Sequence, residues 1–250
     1  MAELSTEVYL SVFAKVLDMA GLSCNLSEAS IPDWRCRCVH VPDFVLGWSC
    51  VGAALGAMLG LVAQRHLRTT VLAAPRTVFL CAMAAAALFG VLAGRYGLTL
   101  DAIPATVLAL FGSALSVIDV AEQRIPKRLV SQCSATLVGV CVALAAATGE
   151  WPLALRALAA GVGLGGAYLL LALASRGGLG AGDVRLGIAV GVAAGWYGWS
   201  HLLAGTLMAW TAAALVQVLL KASCHDSLRS TAIPMAPFFI LGQIVAIVTL

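Results

Sequence analysis

Apolar residues fill this chain in long blocks, broken by short polar turns. The blocks fall at about 45–64, 77–94, 102–118, 129–148, 153–174, 184–200, 202–220 and 235–250. A helix needs roughly 20 apolar residues to cross the hydrocarbon of a bilayer, and most of these blocks approach that length. The pattern therefore predicts an all-α polytopic membrane helix bundle of about eight transmembrane helices. The last blocks are short or tightly joined, and seven spans also fit. Residues 1–44 are different. Val8, Leu10, Val12, Phe13, Val16 and Leu17 recur at helical spacing, which predicts an amphipathic helix over 7–22. Pro32 and Pro42, with interspersed charges, make 23–44 a loop. The expected organisation is an N-terminal extracytoplasmic segment, 1–44, and a membrane domain, 45–250.

Composition narrows the class. The chain is 61% hydrophobic and 11% charged, against about a quarter charged in soluble domains. Disordered, fibrous and nucleic-acid-binding proteins are excluded on this ground. The net charge of +3 matters less than its placement. Alternate turns carry Arg65, Arg68 and Arg76, then Arg124, Lys127 and Arg128, then Arg176 and Arg185, then Lys221 and Arg229. The opposite turns carry only Arg95 and Arg156, and the leading segment sets Lys15, Arg35 and Arg37 against six acids. Basic residues collect on the cytoplasmic side of membrane proteins. The rich turns are therefore expected in the cytoplasm, with both termini outside, in a multi-pass protein of the cytoplasmic membrane. The opening Met1-Ala2-Glu3-Leu4 lacks the basic start of a cleavable signal, so the first span is expected to act as a retained anchor.

Small residues line some blocks. Gly52, Gly56 and Gly60 form one stripe, and Gly187, Gly191 and Gly195 another. Such stripes let helices approach closely in lipid, and packing within the bundle is expected rather than dimerisation. Eight cysteines include no CxxC pair, so no zinc site and no metal is expected. Cys24, Cys36 and Cys38 suit a disulfide if they face an oxidising compartment. Cys81, Cys133 and Cys141 read as small buried hydrophobes.

Two carboxylates carry the candidate chemistry. Asp119 follows the block 102–118, and Asp183 follows Gly180-Ala181-Gly182. A carboxylate at the margin of a bilayer is costly and marks function by default. The charge pattern puts both on the same, cytoplasmic, side. Either alone reads more readily as a helix-end residue, Asp119 closing its helix at the headgroups and Asp183 as an N-cap. Together they form an acid/base pair that can activate water. Asp119 closes a span, at the negative end of its helix, and Asp183 opens one, at the positive end. The glycines before Asp183 permit positive φ and close approach of an extended peptide. His40, His66, His201 and His225 have no motif around them.

The wording around these residues resembles the type IV prepilin leader peptidases, of the Gly-x-Gly-Asp class of membrane aspartyl proteases. Asp119, Pro126 and Leu129 match the first motif of that family, and Gly180-Ala181-Gly182-Asp183 the second, with Arg185 where lysine is common. Ile233-Pro234-Met235-Ala236-Pro237-Phe238 is similar to the opening of its last span, and Gly47 to Arg65 to its first. The resemblance covers roughly residues 45 to 250. It implies catalytic Asp119 and Asp183, with Gly180, Gly182 and Pro126 shaping the loops that meet substrate. It also implies removal of the leader from prepilin or pseudopilin precursors at the cytoplasmic face, without a cofactor. Lys127 departs from the asparagine or aspartate often found there. The turn from Gln64 to Thr77 is too short for the CxxC-bearing insert associated with methylation of the product. The presenilin branch fits less well, because Ile118 rather than tyrosine precedes Asp119. A small proton-coupled transporter also accounts for paired intramembrane acids, though not for the spacing of Asp119 and Pro126.

Overall fold

The computed structural model describes residues 43–65, 74–97, 99–175, 180–223 and 234–250. The expected helix over 7–22, the disulfide among Cys24, Cys36 and Cys38, and His40, His66 and His225 lie outside them. The described residues form eight helices: α1 (Asp43–Gln64), α2 (Ala74–Tyr96), α3 (Ala102–Glu122), α4 (Lys127–Thr148), α5 (Trp151–Ala174), α6 (Ala181–Tyr197), α7 (Trp199–Ser223) and α8 (Ala236–Thr249). No strand occurs among them. The protein is an all-α, multi-pass membrane helix bundle.

Each expected block corresponds to one helix, and the differences lie at the ends. The block 102–118 continues as helix to Glu122, so Asp119 sits inside the last turn of α3. Gln123 ends that helix at φ 50°, in the left-handed region, and its N–H bonds the Asp119 carbonyl at 2.8 Å. Gly149 does the same for α4 at φ 79°. Six helices are long and apolar enough to span a membrane: α1 to α5 and α7. The other two are shorter, α6 with 17 residues and α8 with 14. At 1.5 Å per residue these run only about 26 and 21 Å, less than the ~30 Å of hydrocarbon.

α3 is the most enclosed of the six spans and touches α1, α2, α4, α6 and α8. Around it the bundle is assembled in close pairs, α1 with α2, α5 with α6, and α7 with α8. The glycine stripes make two of these pairs. A Cβ on Gly56 would lie 2.7 Å from the Cys81 carbonyl oxygen, and one on Gly191 would lie 2.7 Å from the Ala160 carbonyl oxygen and 2.8 Å from the Gly161 Cα. Both stripes therefore serve packing within the chain, as expected. Cys81, Cys133 and Cys141 are fully buried, in keeping with their reading as small hydrophobes.

Ends of short helices cannot lie unsatisfied in lipid, because no water is there to bond them. Arg156 donates through Nε to the Gly195 carbonyl at 2.8 Å, and through its terminal nitrogen to the Trp196 carbonyl, closing the C-terminus of α6. Arg95 Nε donates to the Val248 carbonyl at 3.0 Å and the Tyr96 hydroxyl to that of Ile247 at 2.8 Å, closing α8. Cations at helix C-termini also complement the helix dipole.

Gly191→Ala should lower the thermal stability of the detergent-solubilised protein, because backbone atoms of α5 cannot yield; overpacking typically costs about 1–3 kcal/mol. Gly163→Ala, where a Cβ meets open space, should leave the unfolding midpoint unchanged or raise it slightly.

Candidate active site

Asp119 is brought inside by α3 and is 5% exposed. A buried carboxylate needs hydrogen-bond donors. Its donor comes from the far end of the chain: the Ala236 N–H bonds Asp119 Oδ2 at 2.9 Å. Ala236 is the first residue of α8, whose opening turn holds a proline. Proline suits a helix start, where N–H groups have no partner within the helix. The carboxylate of Asp119 thus caps α8. It lies at the negative end of its own helix and at the positive end of another. The sequence reading included the first and missed the second. Pro234 and Pro237 were the available signal, since they mark a helix start whose N–H groups require an acceptor.

Asp183 reaches the same end of the bundle from α6. It is not the N-cap of that helix. Gly180 holds that position, and Asp183 stands three residues on, its Oδ2 accepting the Gly180 N–H at 3.2 Å. The residue is half-buried, and its charge is close enough to act on Asp119. Two carboxyls separated by 64 positions in sequence therefore lie within electrostatic reach of each other.

The glycines act differently from the expectation. Gly180 has φ −72° and ψ 147°, ordinary extended backbone, and neither it nor Gly182 is among the positive-φ residues. Gly182 is required by proximity. A Cβ there would stand 2.9 Å from the Cβ of Ile125, so the turn that follows Asp119 rests directly on the start of α6. Pro126 completes that turn at φ −67° and ψ 120°, and α4 begins at Lys127. Gly182, Ile125 and Pro126 together set how near the two carboxyl-bearing segments come.

One turn deeper lies an aromatic cluster with no counterpart in the sequence reading. Tyr168 of α5 packs against Phe239 of α8 with ring centroids 5.4 Å apart. Its hydroxyl accepts a hydrogen bond from Trp210 Nε1 of α7 at 3.1 Å. The ring covers Gly187 of α6, and Asp183 lies within electrostatic reach of the hydroxyl. The cluster ties α5, α6, α7 and α8 together just beneath the carboxyls. His201 stands at the opposite end, against Tyr197 and Ser200 and under the influence of Arg156, apart from both aspartates. Among the described residues no group of three or more His, Cys, Asp or Glu side chains gathers to hold a metal ion.

Asp119→Leu should destabilise the fold, since it leaves the buried Ala236 N–H unpaired; an orphaned donor costs about 1–3 kcal/mol. Asp119→Asn keeps an acceptor oxygen there and should unfold close to wild type. Thermal unfolding in detergent, with the two variants side by side, separates these outcomes.

Comparison with known proteins locates the chain. No curated protein and no solved structure matches it. The model of the type IV leader peptidase family matches residues 106–248. That range takes in Asp119, Pro126, the Gly180–Asp183 segment and the opening of α8, and it begins beyond α1 and α2. Spanning more than half of the protein, the match shows that this multi-pass membrane chain is a protease that belongs to the type IV leader peptidase family.

Proposed function

We propose that Asp119 and Asp183 are the catalytic dyad of an aspartic endopeptidase that cuts the leader from type IV prepilin or pseudopilin precursors. The observation that carries this reading is that the two carboxyls, from α3 and α6, lie within electrostatic reach of each other at one end of the bundle. Peptide hydrolysis needs a water that loses a proton and a carbonyl oxygen that gains one. Two carboxyls sharing a proton do both: the ionised one takes the proton from water, and the protonated one donates to the carbonyl oxygen. The tetrahedral intermediate then collapses with transfer of a proton to the leaving amine. Gly180, Gly182 and Pro126 shape the backbone beside the dyad, where the substrate must lie extended for its carbonyl to be attacked. No cofactor enters this chemistry.

Charge supports a side for the site: Lys127, Arg128 and Arg185 gather at the starts of α4 and α6, whereas Arg95 and Arg156 sit at the other helix ends. This bias supports a site at the cytoplasmic face of the cytoplasmic membrane, with the apolar helix of the substrate remaining in the bilayer.

Co-expression with a pilin-like precursor from the same genome, read as a mass shift on a gel, tests the chemistry. Asp119→Asn and Asp183→Asn should each lower cleavage by at least about a hundredfold while the protein still inserts, and Glu122→Gln should keep most activity. Full processing by either asparagine variant would overturn the dyad. The side is tested separately. With the native cysteines removed, Ala121→Cys should react with an impermeant thiol reagent in inverted vesicles and not in intact cells.

A further inference from the structure

Near the dyad, the N-terminal turns of α4 and α6 flank an open, shallow surface cleft of about 360 Å³ lined by Lys127, Arg128, Ser131, Gln132 and Arg185. Three of these side chains are cations, two are neutral hydrogen-bonding groups, and none is an acid. Among the described residues none of the five makes a side-chain hydrogen bond or ion pair. Cations gathered without a partner repel one another, and lysine and arginine can only donate. Its cationic rim is therefore complementary to an anion with several acceptor oxygens, the chemistry of a phosphate, while most of its exposed wall is apolar.

The same helix continues the site into the bilayer. Arg128, Gln132, Ala135, Gly139 and Val142 recur at i, i+4, i+7, i+11 and i+14 along α4, and all five are exposed. They form one stripe that passes from cationic through polar to apolar, in the direction of the membrane interior. A free phosphate uses only the top of that stripe. A phospholipid uses all of it, with its headgroup in the cleft and an acyl chain along Ala135, Gly139 and Val142.

We propose that this cleft binds the phosphodiester headgroup of an anionic phospholipid, whose chain lies along the exposed face of α4. The site stands apart from the catalytic reading. Its failure would leave the dyad untouched, and loss of the dyad would leave the lipid site.

Native mass spectrometry of the full detergent-solubilised chain, titrated with phosphatidylglycerol or phosphatidylcholine, tests the proposal. Wild type should retain phosphatidylglycerol in preference to phosphatidylcholine. The double variant Arg128→Gln, Arg185→Gln should bind phosphatidylglycerol roughly tenfold more weakly, and Arg128→Lys, Arg185→Lys should recover most of the affinity. Arg124→Gln, a cation of the same turn outside the cleft, should bind as wild type. If the double glutamine variant fails to fold, Gln132→Leu should weaken binding severalfold without a change of charge. Three outcomes overturn the assignment: full affinity in whichever cleft variant folds, an equal loss in Arg124→Gln, or displacement of the lipid by millimolar inorganic phosphate. The last would make the cleft a site for soluble phosphate.

Discussion

The hydrogen bond between the Ala236 N–H and the Asp119 carboxylate ties the last helix of the chain to its most enclosed one. α8 is too short to span a bilayer, and its first residue, Ala236, is fully buried in the bundle, so the opening N–H needs an acceptor from the protein. Asp119 supplies the acceptor, and α8 in turn supplies the donor that a buried carboxylate requires. Neither group is tenable there without the other. α6 follows the same plan, with its start bound by the Asp183 carboxylate and its end by Arg156. Both short helices thus run from a carboxylate to an arginine, in the sense that the helix dipole favours.

This arrangement gives the carboxyls of the proposed dyad two duties. Each holds a helix start, and each must exchange a proton with water or substrate. A carboxylate has about four lone-pair sites, and holding one N–H leaves capacity for the second duty. The structural duty also sets precision. Asp119 is fixed by α8, Asp183 by its own capping turn, and the spacing between them by Gly182 against Ile125. Catalytic groups perform only when held this closely by their surroundings.

Much of this was legible from the amino acids alone. Long apolar blocks announce helices in lipid, and each block became one helix. Asp119, Asp183 and the arginine bias pointed to one end of the bundle. The glycine stripes indicated packing, because a small residue every fourth position has few other uses in a span. What remained hidden was partnership between distant segments. Nothing local joins Asp119 to Ala236, 117 positions away, or Tyr168 to Trp210 and Phe239. The positive φ expected of Gly180 and Gly182 does not occur. The close approach at Gly182 does, but its partner is Ile125 of the turn after Asp119, which no local pattern names. Arg95 and Arg156, counted as charges, are caps as well.

The contact of α5 with α6 bears on motion. Gly191 faces the Ala160 carbonyl and the Gly161 Cα with no side chain between them. Contacts of this kind cannot adjust by rotamer changes, because there are no rotamers to change. Elsewhere along the same seam the side chains of Val192, Ile188 and Tyr168 fill the space over Gly161, Gly165 and Gly187, so parting the two helices would expose peptide groups at Gly191 and break side-chain packing on either side of it. Under the proposed function, an extended peptide would then reach Asp183 from another side of α6.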